Sequence, residues 1–364
     1  MEVHATVAVL GGGQLGRMLG LAGIPLGLRF RFLDPSADAP AGAVGHLVVA
    51  ALGEEAALEE VVAGADVVTY EWEGVPADAA RFLASRVPVH PGARSLEVSQ
   101  DRLVEKQAFR AVGIATPEFA PVDSREELNA AIEGVGLPAV LKTRRGGYDG
   151  KGQRVLRSAD DVEPAWHSLG AAPLVLEAFV PFDREVSVVA VRAMDGTVAC
   201  WPVVENLHSD GILRVTRAPA PRLDSALQER AEEYARKLLE ELDHVGVLAI
   251  EFFDVGGDLL ANEFAPRVHN SGHWTIEGAA TSQFENHLRA VLGWRLGPTV
   301  ARGESVMVNC IGRLPDRAAV AAVPAAHLHD YGKSPRAGRK LGHVTLTSDV
   351  PDLDARAEQV LGLM

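Results

Sequence analysis

Cysteine and positive charge are both scarce in this sequence of 364 residues. It contains two cysteines, and its 35 Lys and Arg stand against 49 Asp and Glu, a formal net charge of −14. Two cysteines cannot form a disulfide framework or a zinc cluster, and the apolar residues around Cys200 and Cys310 are typical of a protein core. Because nucleic-acid binding needs a basic surface that neutralises phosphates, the acidic balance predicts no nucleic-acid partner.

Long apolar runs are absent as well. No stretch approaches the roughly 20 apolar residues that span a bilayer. The opening "MEVHATVAVL" lacks the basic start and the small-residue cleavage site of a signal peptide. We therefore expect a cytoplasmic protein with no membrane partner. With 47% hydrophobic and 23% charged residues the composition is that of a globular protein, and its length predicts two or three domains.

A glycine-rich segment, "VAVLGGGQLGRML", passes from a β-branched run into a helical pattern. Gly11, Gly13 and Gly16 match G-x-G-x-x-G, and the next predicted strand ends at Asp34, where a ribose-binding acid would stand. Taken alone, this segment indicates a dinucleotide-dependent oxidoreductase. The rest of the chain favours a different function.

The first hundred residues alternate between strand and helix patterns, which is typical of a parallel sheet covered by helices. The predicted elements are strands Ala5–Leu10, Leu28–Leu33 and Asp66–Tyr70, and helices after Gly16 and near Glu54–Ala63. Prolines 88 and 91 mark a domain boundary.

Helix starts and one helix face can be identified beyond this boundary. Ser124 with Glu127, and Ser225 with Gln228, each fit a capping box. In the second of these helices one face predicts core packing. Its members are Leu227, Ala231, Leu238 and Leu242.

Paired strand patterns predict two hairpins, one around Gly146–Gly152 and one around Gly256–Gly257. Short strand patterns from about residue 300 predict a small terminal subdomain. A hairpin-rich middle of this kind is not the second half of a dinucleotide-binding fold.

Two basic clusters contrast with the acidic background. They are Lys142, Arg144, Arg145, Lys151 and Arg154, followed by Lys333, Arg336, Arg339 and Lys340. A local cationic pocket is what a small anionic substrate needs. The alternative interpretation is a pair of solvated surfaces.

The first hairpin, "LKTRRGGYDGKGQ", has the chemistry of a phosphate cradle. Glycines let backbone amides approach phosphate oxygens, and Lys142 and Lys151 supply cationic donors. The segment is not a P-loop, because Arg145 replaces the first required glycine and Gly152 replaces the Ser or Thr after the lysine. A flexible surface hairpin is the alternative.

Glu251 and Glu263 are the candidate metal ligands. A three-residue loop at 256–258 would place them opposite each other on neighbouring strands, an arrangement that repels unless a cation such as magnesium lies between them. A two-residue turn would instead pair Glu251 with Asn262, so the register stays open. Exposed acids are the alternative, but the apolar neighbours of both residues make unpaired charge costly.

The segment "PRVHNSGHWTIEG" brings Arg267, His269, Asn270 and His273 together. A guanidinium can hold a small planar anion through two hydrogen bonds, and an imidazole can exchange a proton near neutral pH. Beside a magnesium–triphosphate site, this combination suggests an acid substrate that is phosphorylated. A polar loop whose histidines satisfy backbone groups is the alternative, above all for His273.

With these residues assembled, the sequence resembles the ATP-grasp superfamily and, within it, the 5-(carboxyamino)imidazole ribonucleotide synthetases. Eight segments in order carry the resemblance: "GGGQLGRML", "TYEWEGVP", "QDRLVEKQAF", "TRRGGYDGKGQ", "FVPFDREVSVV", "VENLHSDGI", "NEFAPRVHNSGHWTIEGAATSQFENHLRAVLG" and "GRKLGH". They cover nearly the whole chain. Trp72, Gly74 and Val268 depart from the family pattern, where phenylalanine, asparagine and proline are expected.

The resemblance implies a mixed α/β (α+β) ATP-grasp fold: a Rossmann-like parallel-sheet domain at 1–98, a lid domain at 99–178, and a mixed-sheet domain at 179–364 that includes the terminal subdomain. It implies a C–N ligase that uses ATP, magnesium and bicarbonate to carboxylate 5-aminoimidazole ribonucleotide through carboxyphosphate in purine biosynthesis. A homodimer, and coupling to a mutase in the next step, are implied as well.

The resemblance also implies residue roles. Nucleotide contacts would come from Arg102, Lys142, Gly147, Tyr148, Asp149, Gly150, Lys151, Gly152, Gln153, Glu177, Ala178, Phe179, Val180, Glu185, His208, Asn262 and Glu263. Magnesium would be held by Glu251 and Glu263, and the catalytic group would be Arg267, His269, Asn270 and Lys142. The aminoimidazole ribonucleotide would be received by Gln14, Glu71 or Glu73, Tyr148, Asp149, Lys333, Arg336, Arg339 and Lys340. The N-terminal glycine loop would then face the phosphate of this ribonucleotide.

Three alternatives remain on sequence grounds. The first is a different ATP-grasp ligase, such as a formate-dependent glycinamide ribonucleotide transformylase or a biotin carboxylase. The second is the oxidoreductase. The third is a catalytically inactive nucleotide-binding regulator, against which the presence of both glutamates, Lys142 and Arg267 argues.

Overall fold

Three β-sheets organise the part of the chain that the computed structural model describes, residues 4–147 and 151–364. The first sheet is parallel, with strand order β3-β2-β1-β4, as the alternating pattern predicts. Its elements are β1 (Thr6–Leu10), α1 (Gln14–Gly23), β2 (Arg29–Asp34), β3 (His46–Val49), α2 (Glu55–Val62), β4 (Val67–Tyr70), α3 (Ala77–Ala84) and α4 (Ala93–Ser99). Strand β3 was not predicted, because four residues at a half-exposed sheet edge carry little pattern.

Helix α1 begins at Gln14, so the prediction that it starts after Gly16 is wrong. Gly16 lies inside the helix, where a Cβ atom would come within 3.2 Å of the Gly11 carbonyl oxygen and 3.4 Å of the Phe32 ring. The third glycine therefore permits close packing of α1 on the sheet.

The second sheet is small and antiparallel, with strand order β5-β8-β6-β7. Helix α5 (Arg102–Ala111) precedes it along the chain and packs in the core of the third sheet. The unit of the second sheet comprises β5 (Phe119–Val122), α6 (Arg125–Val135), β6 (Ala139–Thr143), β7 (Gln153–Leu156), α7 (Val162–Leu169) and β8 (Leu174–Ala178). The β6–β7 pairing runs from Ala139 opposite Leu156 to Lys142 opposite Gln153, which confirms the predicted glycine hairpin.

The third sheet is large, with strand order β14-β13-β9-β11-β12-β15-β17-β16 and β10 paired to β9. Its elements are β9 (Arg184–Arg192), β10 (Val198–Cys200), β11 (Val204–Ser209), β12 (Ile212–Ala218), α8 (Ser225–Glu241), β13 (Gly246–Val255), β14 (Asp258–Ala265), α9 (Thr275–Gly278), α10 (Gln283–Val291), β15 (Ser305–Ile311), α11 (Arg317–Ala321), β16 (Ala326–Asp330), β17 (Lys340–Thr347) and α12 (Leu353–Gly362). The described strand pairs in it are antiparallel, not mixed. The terminal strands β15–β17 extend this sheet.

Only one of the two predicted helix caps is present in the structure. Ser124 caps α6 as predicted, accepting from the Glu127 amide at 3.1 Å. The prediction for α8 is wrong, because Asp224 is its N-cap and the Gln228 side chain instead accepts from the Val203 amide. The predicted core face of α8 is buried, which confirms it.

The first and third sheets share one hydrophobic core. Val7, Leu19 and Phe30 from the first unit cluster with Val247 and Leu288 from the third. The glycine loop is thereby held against the large sheet. Within the described ranges, no helix is both long enough and apolar enough to cross a membrane.

Candidate active site

A cleft of about 530 Å³ lies where the three sheets meet. Eighteen of the sequence-predicted site residues line it: Gln14, Glu71, Glu73, Arg102, Lys142, Gly147, Lys151, Gln153, Phe179, Glu185, His208, Glu251, Asn262, Glu263, Arg267, His269, Asn270 and Lys340. Residues separated by more than 300 positions in sequence thus face one space. Tyr148, Asp149 and Gly150 lie outside the described residues.

The carboxylate pair is formed as predicted, but by a different turn. Val255 pairs with Asp258 across a two-residue turn, yet Glu251 stands opposite Glu263. The register shifts between Glu251 and Phe252, leaving Asn262 as the extra residue of a β-bulge. The strand pairs next to the turn thus follow the register of a two-residue turn, whereas Glu251 and Glu263 pair as a three-residue loop would place them.

The two carboxylates repel each other. Burial, together with the charge of Glu263, raises the pKa of Glu251 to about 7. Arg102 balances Glu263 with a nitrogen–oxygen distance of 3.1 Å. His269 Nε2 lies 3.2 Å from Glu251 Oε1.

The imidazole of His269 is a neutral donor. Burial and the nearby Arg267 charge lower its pKa to about 3. The Ser271 amide donates to Nδ1 at 3.3 Å, so the ring proton is assigned to Nε2, which lies beside Glu251 Oε1. This histidine therefore lies next to the carboxylate without adding positive charge.

Arg267, two residues beyond β14, donates from Nε to the Glu73 carboxylate and from Nη1 to the Val268 carbonyl at 3.0 Å. Burial alone would raise the pKa of Glu73, but Arg267 lowers it. The adjacent Asn270 forms a reciprocal amide pair with Asn309, at 3.1 and 2.7 Å. His273 is buried beside Phe284 and His343 and does not line the cleft, so it belongs to the core.

Glu71 binds a different part of the protein from Glu73. Its carboxylate accepts from the amides of Gly13 at 2.7 Å and Gly16 at 3.0 Å, while Asp34 accepts from the Gly12 amide at 2.8 Å. The chain's own acids thus occupy the amides at the start of α1, where a bound phosphate would sit in a dinucleotide enzyme. The prediction that the glycine loop faces the phosphate of a ribonucleotide therefore has no support from these three amides, and it stays a prediction.

The glycines of this loop make room for Glu71. A Cβ atom on Gly11 or Gly13 would lie 2.6 Å from Glu71 side-chain atoms. The G-x-G spacing therefore leaves space for the Glu71 side chain of the protein itself. Gln14 faces the cleft, where its side chain accepts a hydrogen bond from Lys333.

Lys142 Nζ donates to Glu177 Oε2 at 2.9 Å. Glu177 is 2% exposed and does not line the cleft. Its carboxylate therefore positions Lys142 and does not contact a ligand directly. The amides of Ala178 and Phe179 donate to the carbonyls of Glu118 and Pro138, at 2.8 and 3.1 Å. Neither of these two amides is available to read an adenine, contrary to expectation.

On neighbouring strands, His208 Nδ1 lies 2.6 Å from Glu185 Oε2. Burial opposes protonation of His208, but the hydrogen bond to Glu185 raises its pKa. Both residues line the cleft, and their contact with the nucleotide stays a prediction.

Some residues of the two basic clusters form ion pairs within the protein, and others line the cleft. Arg144 and Arg145 bind the Asp101 carboxylate, at 2.8 and 3.3 Å, and Asp101 is the N-cap of α5. Lys142 and Lys151 line the cleft. In the second cluster Lys340 lines the cleft, whereas Lys333, Arg336 and Arg339 do not, contrary to expectation. Burial lowers the pKa of Lys333 to about 8.

Sequence reasoning missed part of the wall. Phe182 and Phe253 stack with ring centroids 4.9 Å apart and line the cleft. Because Phe253 lies two residues after Glu251 on β13, strand alternation places both on one face and could have identified it. Two buried residues of α5 were also missed, Glu105, which lines the cleft, and Lys106, which does not, and no local pattern points to them.

The two departures at Trp72 and Gly74 are coupled. A Cβ atom on Gly74 would lie 2.3–2.6 Å from the Trp72 indole, which is 51% exposed and lines the cleft. The large ring of Trp72 therefore requires a residue without a side chain at position 74.

We expect Gly74→Asn to displace the Trp72 indole from its place in the cleft wall. Because the ring is half exposed and free to rotate outward, the unfolding midpoint should change little, while the tryptophan emission shifts to longer wavelength. Fluorescence spectra and urea unfolding measure both quantities. Trp72→Phe in the same background is the control, since it should remove the spectral difference; an unchanged spectrum in Gly74→Asn would contradict the packing.

Comparison with known proteins gives matches over most of the chain. Residues 4–100 match the ribonucleotide synthetase preATP-grasp domain, residues 107–284 the ATP-grasp domain, and residues 305–356 the phosphoribosylaminoimidazole carboxylase C-terminal domain. The chain is 54% identical to the N5-carboxyaminoimidazole ribonucleotide synthase of Pseudomonas aeruginosa over 359 residues, covering 98% of this chain and 99% of the relative.

Solved structures agree with these matches. The crystal structure of N5-carboxyaminoimidazole ribonucleotide synthetase from Thermus thermophilus is 56% identical, with a TM-score of 0.95 and 98% of each chain covered. The N5-carboxyaminoimidazole synthase of Aspergillus clavatus, in complex with ADP and 5-aminoimidazole ribonucleotide, is 33% identical, with a TM-score of 0.91 and coverage of 100% of this chain and 98% of that one.

Proposed function

The chain belongs to the N5-carboxyaminoimidazole ribonucleotide synthase family of ATP-grasp enzymes, and from this premise we propose how its cleft performs the family's reaction. The enzyme carboxylates 5-aminoimidazole ribonucleotide in an ATP-dependent step of purine biosynthesis. In our proposal bicarbonate supplies the carboxyl group by way of carboxyphosphate, and ADP and phosphate are released.

ATP binds between the second and third sheets in this proposal. The ADP complex of the Aspergillus clavatus relative supports a nucleotide site in this fold. Arg102, Lys142 and Lys151 supply positive charge on the cleft wall for the phosphates. Because the amides of Ala178 and Phe179 are already bonded, we assign the adenine-reading donor of the hinge to the Val180 amide.

Magnesium fits the carboxylate pair. Within the described part of the chain, no group of three or more His, Cys, Asp or Glu is placed to hold a metal ion. Magnesium, however, is usually bound by one or two carboxylates together with substrate phosphates, so Glu251 and Glu263 would suffice beside ATP. When bound, it would neutralise charge on the phosphates.

Arg102 and Glu263 pair with each other across the cleft at 3.1 Å. In the complex each gains an oppositely charged partner, because Arg102 can turn to phosphate oxygens and Glu263 to the metal. The same guanidinium donates to the Gly147 carbonyl at 3.1 Å, so it also connects the glycine hairpin to the carboxylate pair.

We assign bicarbonate to the space in front of Arg267. Its guanidinium is held from one side by Glu73, and the amide of Asn270 is fixed by Asn309. Bicarbonate is a weak electrophile and must be activated first: its oxygen attacks the γ-phosphoryl group, ADP leaves, and the mixed anhydride carboxyphosphate forms. The amine of the ribonucleotide then captures the carboxyl group, and phosphate leaves. The protein contributes positioning and charge stabilisation.

Carboxyphosphate hydrolyses readily in water, so the site must exclude solvent during transfer. We propose that the glycine hairpin closes over the cleft for this purpose. Gly147, Lys151 and Gln153 already line the cleft on either side of the undescribed stretch 148–150.

The observation that carries this function is a pair of half-buried acids beside Arg267 in one cleft. We expect the protein to release phosphate from ATP when bicarbonate and 5-aminoimidazole ribonucleotide are both present, and much more slowly without the ribonucleotide. A coupled phosphate assay measures both rates. Formate in place of bicarbonate is the control, and turnover with formate would favour a formate-dependent ligase.

Other predictions remain. The domain limits 1–98, 99–178 and 179–364, the homodimer, the coupling to a mutase and the cytoplasmic location stay predictions from the sequence and the family resemblance. Sedimentation of the purified chain would test the dimer.

A further inference from the structure

The edge strand β14 is held from its open side by α5. An edge strand has backbone groups without ladder partners, and these must be satisfied elsewhere. Lys106 Nζ donates to the Asn262 carbonyl and, at 3.4 Å, to the Ala261 carbonyl. Glu105 Oε1 accepts from the Phe264 amide at 2.7 Å. Two consecutive side chains thus hold the backbone on both sides of Glu263.

Lys106 also reaches the end of β8. Its ammonium lies 3.3 Å from Glu177 Oε2, and its side chain is 1% exposed. The three hydrogens of the ammonium therefore meet three acceptors: Glu177, Ala261 and Asn262. Burial alone would raise the pKa of Glu177, but Lys142 and Lys106 lower it to about 2.

The Asn262 carbonyl belongs to the extra residue of the β-bulge. Without that bulge, the same two-residue turn would place Asn262 opposite Glu251 and turn Glu263 to the other face of the sheet, because a one-residue slip reverses every side chain. A partner for this carbonyl therefore favours the register that pairs the two acids. Loss of the partner would leave a part-buried carbonyl unsatisfied and remove that preference.

We propose that Lys106 is a positioning residue that fixes the Asn262 bulge to β8 and so keeps Glu263 opposite Glu251 for metal binding. This role rests on the magnesium site of the proposed function. Lys106 itself does not line the cleft, so it acts through Glu263.

The test compares Lys106→Met with Lys237→Met, a control on the exposed face of α8 whose lysine pairs with Glu233. Free Mn²⁺ is followed by electron paramagnetic resonance during titration in the presence of ADP. ADP binding in EDTA is measured separately with a fluorescent analogue. We expect Lys106→Met to raise the Mn²⁺ dissociation constant at least tenfold, to change ADP binding in EDTA less than threefold, and Lys237→Met to change neither.

A purely structural role would lower the urea midpoint of Lys106→Met while leaving its Mn²⁺ affinity unchanged, and that result would overturn the proposal. If the methionine variant does not fold, Lys106→Gln keeps one donor for the Asn262 carbonyl and should weaken Mn²⁺ binding by about threefold; no weakening would overturn the proposal too. Failure of the wild-type chain to bind Mn²⁺ with ADP would instead overturn the metal site itself. A crystal structure of Lys106→Met should show Asn262 opposite Glu251.

Discussion

Arg267→Ala should lower kcat/KM for bicarbonate by about 10²–10³-fold, the scale of losing one preorganised charge donor at a reacting oxyanion. In our assignment the guanidinium holds bicarbonate and the charge that develops on it, so its loss removes stabilisation that no neighbour replaces. Nucleotide binding should survive, because Arg102, Lys142 and Lys151 belong to another part of the cleft wall. Coupled ADP release and a separate ADP titration measure the two quantities.

Loss of Arg267 also leaves Glu73 without its partner, so a folding defect must be separated from a catalytic one. The double variant Glu73→Gln, Arg267→Ala removes the unpaired acid and should regain the unfolding midpoint without regaining turnover. Arg267→Lys keeps the positive charge but cannot form bidentate hydrogen bonds to the anion, so it should retain only a small part of the activity. Normal turnover in Arg267→Ala would show that the anion assignment is wrong.

Glu251→Gln should abolish most turnover, by more than about 100-fold, and at the same time stabilise the metal-free protein at neutral pH. The amide keeps the shape of the side chain beside His269 Nε2 but removes one of two repelling charges from a half-buried pair. Activity falls because, in our proposal, this carboxylate helps to hold the metal. Stability rises because a half-buried like-charge contact is removed, and each kcal/mol gained should raise Tm by about 2–4 °C.

The pH dependence has a definite sign. Glu251 has a folded-state pKa raised from 4.5 to about 7, so its contribution to stability is complete below pH 4.5 and is lost as the pH rises through about 7. The metal-free wild type should therefore lose stability relative to Glu251→Gln over this window, and the difference should level off above it. Thermal unfolding of both proteins in EDTA across roughly pH 4–9 measures it.

Glu233→Gln on the exposed face of α8 serves as the matched control and should show no such window, since its carboxylate pairs with Lys237 at the surface. Equal pH profiles for wild type and Glu251→Gln would mean that the two acids do not interact as their register indicates. Retained turnover in Glu251→Gln would exclude it as an essential metal ligand.

The apparent dinucleotide motif shows how a local pattern can mislead. Gly11, Gly13 and Gly16 satisfy the spacing, yet in this fold they admit the Glu71 side chain and the close approach of α1. Sequence cannot distinguish a glycine that admits a phosphate from one that admits an internal carboxylate, because both need the same missing Cβ.

Much of the site could nevertheless be predicted from the sequence. The acids of the second hairpin, Lys142 of the first, and Arg267 all line the cleft, because strand alternation and hairpin patterns are local properties of the chain. The parallel first sheet follows from local patterns in the same way. The order of the eight family segments indicated the reaction.

Only the tertiary structure decided which partner each group has. It assigned Glu71 to the glycine loop and Glu73 to Arg267, whereas the choice of which acid contacts the ribonucleotide stays a prediction. It also set the register of Glu251 and Glu263, because the Asn262 bulge is held by Lys106, which lies 156 positions away in the chain. A turn and its strands specify a register only to within one residue, and here the hydrogen bond from a distant ammonium to one carbonyl selects between the two registers.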